Sequence, residues 1–369
     1  MESVGKEQNI ILSSLSKNEL EQLFFRINEM PLTFRRKLNI PSSISFGNEI
    51  EINGLSLDRA VLVIESFNDA SSLYDNDRYV AHQEETADAE IVTPILTNEV
   101  WHWDTFKKMY RTLYETGATI GHNTSSHLHI GSHLINTPEK LSLLLKTLVV
   151  FEPIIFKFGY GYLDEPRSYL TSRLEHSIFS PMMTPRRVST FTDELDHYNH
   201  KAQGIMKSRF LDFLAADLSF RPVFNFKDFD FSKLHHGIEI AQPSHHDHFE
   251  VRCFNGTLKP EIAQNNINLI TSIVDAVIEG RIDREYIEKE YKRYKKKRYN
   301  FDTFCAILND QDKVEQYNRL LGGFSKVKLE KALKLADMIF YTETDKYYFL
   351  KQYLKLFKAD KEFVRALVK

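Results

Sequence analysis

Two cysteines, Cys253 and Cys305, are all that the 369 residues contain. That excludes a disulfide framework and every cysteine-based zinc motif. Long hydrophobic runs are missing as well. The nearest, "LSLLLKTLVVFEPIIFKF", is interrupted by charges and by Pro153, short of the ~18 uninterrupted apolar residues that mark a membrane span, and reads as a buried helix. The opening residues "MESVGKEQNIILSS" have neither a basic leader nor a long apolar region, so a reduced, cytoplasmic protein without a signal peptide is expected. A dominant charge of one sign is absent too: the net charge of −3 gives no electrostatic argument for nucleic acid. Phosphate-cradling glycine motifs of the GKS and GxGxxG kinds do not occur, nor does a GxSxG nucleophile elbow. A nucleotide would therefore be held by metal and basic side chains. What remains, 42% hydrophobic and 27% charged residues, is the composition of a globular protein of one large or two ordinary domains.

Along the chain, Ser16 with Glu19 has capping-box spacing and precedes "LEQLFFRINEM" and Pro31, so residues 1–40 read as a helical segment. "SISFGNEIEI" (43–52) alternates, with Ile44, Phe46, Ile50 and Ile52 on one face and Glu49 and Glu51 on the other. "AEIVTPIL" (89–96) is a second β-rich run and presents Glu90. Asp104 is suited to cap a helix through "TFKKMYRTLYET", with Gly117 as its stop. "HNTSSHLHIGSH" (122–133) carries four histidines and reads as a strand over Ser126–Gly131, with His127 and His129 on one side. Thr137–Pro138 opens a long apolar helix. Residues 159–235 are irregular and aromatic, and "SPMMTPRR" within them is a candidate flap over substrate. Two short strands, around "GIEIAQ" and "HFEVRCF", flank "PSHHDH" as a hairpin turn. From Lys259 the pattern is helical to the end. The expectation is an α+β catalytic core over 41–280 followed by a helical C-terminal region, 281–369.

The chemistry-bearing residues come at strand spacing: Glu49-x-Glu51, Glu90, His127-x-His129 and Glu250-x-Arg252. Two carboxylates on one strand face stand roughly 7 Å apart and repel by about 2 kcal/mol at an effective dielectric near 20. A hard cation such as Mg²⁺ or Mn²⁺ relieves that repulsion. Taken singly, each pair is also what an ordinary polar strand face or an exposed salt bridge looks like.

Their order tells more. "FGNEIEI", "AEIVTPIL", "GATIGHNTSSHLHIG" and "FEVRCFNGTL", spread over residues 46–258, resemble the amidoligase family of the glutamine synthetase-like superfamily, whose members are ATP-using carboxylate–amine ligases. The family's F-G-x-E-x-E, E-hydrophobic-T/S-P, H-x-H and E-F/V-R-x-F-x-G-T motifs are all kept in that order. The resemblance implies an antiparallel active-site sheet of glutamine synthetase-like type flanked by helices. It implies that Glu49, Glu51, Glu90, His129 and Glu250 bind metal, and that His127, His129, Arg252 and Asn225 contact the nucleotide. Arg252, Glu250 and His129 become the expected catalytic residues, with Arg186 or Lys207 as candidate nucleotide contacts. ATP and Mg²⁺ (or Mn²⁺) are the implied cofactors, and amino-acid or peptide carboxylates and amines the implied substrates. Superfamily members often assemble, so a homo-oligomer is an open expectation. Two other functions stay open: a phosphotransferase on the same fold, and a non-catalytic binding protein acting through its helical C-terminal region. Outside the motifs, His245, His246 and His248 read as a solvated turn, "YKRYKKKRY" as a solvated helix face and Cys253 as a buried thiol.

Overall fold

The structure is a computed structural model that describes residues 10–163, 224–226, 228–229, 247–298 and 326–369. Six strands are defined: β1 (Phe46–Ile52), β2 (Val80–His82), β3 (Ala89–Val92), β4 (Ser125–Gly131), β5 (Phe224–Asn225) and β6 (His248–Asn255). They form one sheet in the order β2-β3-β1-β4-β6-β5, and every neighbouring pair is antiparallel. The α+β class expected from the sequence is therefore the class observed.

Period-two alternation builds the sheet's two faces. Phe46, Ile50 and Ile52 of β1, Ala89 and Ile91 of β3, Leu128 and Ile130 of β4, and Phe249, Val251 and Cys253 of β6 are all buried on the apolar side. Helices cover that side: α2 (Leu57–Ala70), α3 (Val100–Glu115), α4 (Pro138–Gly159) and α5 (Pro260–Ile278). Trp103 of α3 stacks on Phe46 at 4.9 Å, a contact between large buried rings that contributes roughly 0.5–1.5 kcal/mol beyond the area they bury. Cys253 is fully buried, as the sequence reading expects, and burial pushes its thiol well above the ordinary range.

Helix α4 is apolar nearly all round and buried along most of its length, which requires protein on every side. Thr137 caps it through the Lys140 N–H, with Pro138 in the first turn. On its far side lie α6 (Arg284–Arg298), α7 (Lys326–Ile339) and α8 (Glu343–Tyr353), while α9 (Lys361–Ala366) packs on the first helix, Lys17–Glu29. Lys146, buried on α4, pairs with Glu288 of α6 at 2.6 Å, so the start of the basic helix is a docked face and not wholly a solvated one. One hydrophobic cluster runs from Leu12 to Leu367 through all of these elements. Among the described residues, no helix is long and apolar enough to cross a membrane.

Two local expectations give way to tertiary contacts. The capping box at Ser16 is present and starts α1 (Lys17–Glu29), but the helical reading of residues 1–40 stops at Met30. Beyond Pro31 the backbone bonds to side chains of other elements instead. Gln264 takes the Arg35 N–H and donates to the Arg35 carbonyl, and Asn98 does the same for Leu38. Asp104 is not a cap. Helix α3 starts at Val100, because His102 and Trp103 must reach back to Thr97 and Asn98. Asp104, inside the helix, pairs with Arg36. Gly117 does end it, with φ +99. The "GIEIAQ" strand, the "SPMMTPRR" stretch, Arg186, Lys207, His245 and His246 lie outside the described residues.

Candidate active site

Register decides which ionisable groups meet. Glu51 pairs with Glu90 across β1 and β3, Glu49 with His127 across β1 and β4, and His129 with Glu250 across β4 and β6. A bulge between Ser126 and Leu128 shifts the β4–β6 register on the way. The polar face of the sheet therefore gathers Glu49, Glu51, Glu90, His127, His129, Glu250 and Arg252 from four adjacent strands. Asn225 stands opposite Glu250 in backbone register on β5.

His127 is the hub, with only 4% of its side chain exposed. Its Nδ1 lies 2.9 Å from Glu49 Oε2, 3.6 Å from Glu250 Oε1 and 4.0 Å from Glu90 Oε1. Its Nε2 lies 3.0 Å from Ser125 Oγ. Both oxygens of the buried Glu51 carboxylate accept hydrogen bonds from Ser125, one from the N–H at 2.6 Å and one from the hydroxyl at 2.7 Å. Arg252 forms an ion pair with Glu250. His129 Nε2 comes within 2.8 Å of Glu49 Oε1, yet the approach lacks hydrogen-bond alignment and leaves that buried nitrogen without a hydrogen-bond partner.

The electrostatics follow from crowding. Burial acts to raise the Glu49 carboxyl, but the hydrogen bond with His127 and the close approach and charge of His129 outweigh it and hold the group far below the ordinary range. Glu90 goes the other way. Burial, then the charges of Glu49, Glu84 and Glu51, push it up to about 8. For Glu250, burial is overcome by Arg252, His127 and His129, and the carboxyl is lowered. Burial pulls His129 down, but contact with Glu49 and the charge of Glu250 carry it above its usual value. Burial lowers His248, and the neighbouring His129, its ring 4.9 Å away, lowers it further.

Three overlapping groups place ligand atoms within 4.8 Å of one another: Glu49 with Glu90 and His127, Glu49 with His129 and Glu250, and Glu51 with Glu84 and Glu90. Neighbouring ligands on one octahedral Mg²⁺ stand roughly 3 Å apart and opposite ones roughly 4.2 Å, from bonds of about 2.1 Å. The separations around His127 Nδ1 span that range. Together with the orphaned His129 nitrogen and the proton retained on Glu90, they make this donor set fit a hard divalent cation. Beside it opens a cleft of about 530 Å³, lined in part by Gly47, Glu49, Thr93, His129, His133 and His248.

The sequence reading did not pick out Ser125 or Glu84. Ser125 was within reach, because it stands two residues before His127 in the same period-two series. Glu84 was not, since it lies in the aperiodic stretch between β2 and β3.

An antiparallel sheet whose polar face presents a carboxylate–histidine cluster beside a cleft defines a class of candidate metal-dependent catalyst. The comparison with known families is more particular: residues 68–274, more than half of the chain, match the family model described as "Putative amidoligase enzyme". The chain belongs to that family, which points to an enzyme of ligase type. No curated protein matches it.

Proposed function

We propose that this protein is an ATP- and Mg²⁺-dependent carboxylate–amine ligase, with its sheet a glutamine synthetase-like active site and an amino acid or peptide as substrate. The observation that carries the reading is the convergence of four carboxylates, two histidines and Arg252 on one sheet face beside a cleft of ligand size. A free carboxylate is a poor electrophile. In the proposed reaction its oxygen attacks the γ-phosphorus of ATP, ADP leaves, and an acyl phosphate forms. An amine then attacks the acyl carbon, phosphate leaves with the C–O bond pair, and the nitrogen loses a proton.

Such chemistry asks the protein for positioning and charge neutralisation more than for covalent work. Glu49, Glu90, His127, His129 and Glu250, with Glu51 and Glu84 adjoining, would hold divalent cations. When bound, these cations neutralise phosphate charge and polarise the phosphoryl group. Arg252 stabilises the phosphoryl group in transfer, and its pairing with Glu250 fixes where the guanidinium points. His129 and Asn225 complete the nucleotide contacts, and the adjoining cleft takes the carboxylate and amine substrates.

The test is Mg²⁺-dependent ADP release from pooled amino acids, di-acids and peptides, with mass spectrometry of the same samples. A product mass equal to the sum of two substrates less water supports ligation. A stable phosphorylated product with no amide would move the reading to a phosphotransferase. If neither product forms and Mg-ATP leaves the melting temperature unchanged, the binding-protein alternative takes its place.

A further inference from the structure

Ser125 sits beneath the candidate cation site, 2% exposed and clear of the cleft lining. Its connectivity, Ser125 Oγ to His127 Nε2 and His127 Nδ1 to Glu49, copies the order of a serine nucleophile, a histidine base and an acid. Two observations argue against a nucleophile. The residue is buried behind the imidazole, and its hydroxyl proton is committed to Glu51.

A hydroxyl has one hydrogen to give. With that hydrogen on Glu51 Oε1, Ser125 Oγ can only accept from His127, so Nε2 carries a hydrogen, and a cation need displace only the one that Nδ1 gives to Glu49. The Ser125 backbone N–H, bonded to the other Glu51 oxygen, pins the carboxylate so that it cannot swing away from this task. The position of Ser125 is itself fixed by its neighbours. It pairs with Asn255 at the end of β6, and a Cβ at Gly256 would fall 2.7 Å from Thr124 Oγ1, so only glycine lets the two strands close this tightly. With Nε2 occupied, Nδ1 is the nitrogen that faces Glu49, Glu250 and Glu90.

We propose that Ser125, held by Glu51, is a positioning residue that fixes the His127 tautomer so that the Nδ1 lone pair is presented to a divalent cation. The inference rests on the reading that a cation binds among these residues. A histidine ligand is oriented by the partner of its other nitrogen, and losing such a partner typically weakens metal binding about 10- to 100-fold. On this assignment Glu51 acts chiefly through Ser125, although its oxygens also lie within 4.8 Å of Glu84 and Glu90.

The experiment compares full-length wild type, Ser125→Ala and Ser125→Thr, each without nucleotide, by Mn²⁺ titration followed by electron paramagnetic resonance. It is paired with ¹⁵N-histidine NMR of the Mg²⁺-loaded proteins, the His127 signals being assigned by their loss in His127→Gln. Ser125→Ala should weaken Mn²⁺ binding about 10- to 100-fold and admit the Nδ1–H tautomer of His127. Ser125→Thr, which keeps a hydroxyl, should restore both. Mn²⁺ affinity within twofold of wild type in Ser125→Ala, with Nε2–H retained, overturns the role of Ser125 and leaves the cation site standing. Failure of wild type to bind Mn²⁺ overturns the cation site and this inference together. A general loss of fold in Ser125→Ala would show in its melting curve, and the threonine variant then decides: wild-type affinity supports the proposal, weakened affinity with an intact fold overturns it.

Discussion

The charges on the open face of the sheet and those buried where the chain's two ends meet are arranged by opposite rules. At the back, Asp345 of α8 accepts from Arg35 at 2.5 Å, from Asn39 at 2.7 Å, from Asn268 at 2.9 Å and from Thr342 at 2.6 Å. Burial acts to raise this carboxyl, but Arg35 and these donors lower it on balance. One negative charge there meets a cation and several neutral donors. At the front, four carboxylates crowd two histidines and one arginine, and Glu90 holds a proton that an ordinary glutamate would have lost. Matched charge serves the fold. Surplus charge of one sign, kept in place by a rigid sheet, costs stability and is the arrangement expected where a ligand of opposite sign completes the set.

The sharpest break of this comparison would be at Asp345. Removing one member of a buried ion pair strands the other, so Asp345→Ala should lower unfolding free energy by about 3–5 kcal/mol in urea denaturation, with Mn²⁺ affinity of the folded protein unchanged. The sign of the pH dependence follows from the lowered carboxyl. Its contribution is complete above the free-chain value of about 3.9 and is lost as pH falls through the lower folded value. Wild type should thus lose urea resistance in that acid window more steeply than the variant.

Next in size is Arg252→Ala. Loss of a group that stabilises transferring charge should reduce turnover about 10²- to 10³-fold, measured as ADP release, while circular dichroism stays that of wild type. Turnover equal to wild type would remove Arg252 from the proposed site.

Glu90→Gln separates charge from shape. It copies the protonated side chain, so in EDTA at about pH 3.5, where folded and unfolded wild type both keep the proton, the unfolding free energy should move by no more than about 0.5 kcal/mol, whereas at about pH 7 the variant should be the more stable of the two. The rise in melting temperature on adding Mn²⁺ should nevertheless shrink or vanish. Because the carboxyl is raised in the fold, cation-free wild type should lose stability as pH climbs from about 4.3 toward about 8, a decline the variant lacks. A wild-type Mn²⁺ response in the variant would mean that Glu90 is no ligand. As a calibration outside both regions, Ser16→Ala deletes the α1 cap and should cost about 1 kcal/mol in the same urea assay without touching metal affinity.

How much of this was legible beforehand depended on periodicity. Strands β1, β3, β4 and β6 have side chains that alternate in character, and their ionisable positions led to the face on which Glu49, Glu51, Glu90, His127, His129, Glu250 and Arg252 now stand. Strand β2 gave no such signal. Its three residues are exposed or half-buried, and its pairing with β3 defines it. Strand order and the β4 bulge were likewise invisible, since both arise from pairing at long separation. The misjudged cap at Asp104 has the same root: an acidic residue before an apolar run is a local cue, and the anchoring of Trp103 on Asn98 overrode it.

The tie between Arg35 and Asp345 spans 310 positions of the chain. At a synthesis rate of ~5–20 residues per second, the loop that leads into β1 waits roughly 15 to 60 s on the ribosome before its partner is made. During that interval the strand bearing Glu49 and Glu51 lacks the clasp behind it, and Leu12 and Ser13 wait as long for Asp337. Closure of this face is therefore a late docking of α1 and the loop after it onto α7 and α8, and nascent chains stalled before Thr342 lack that clasp.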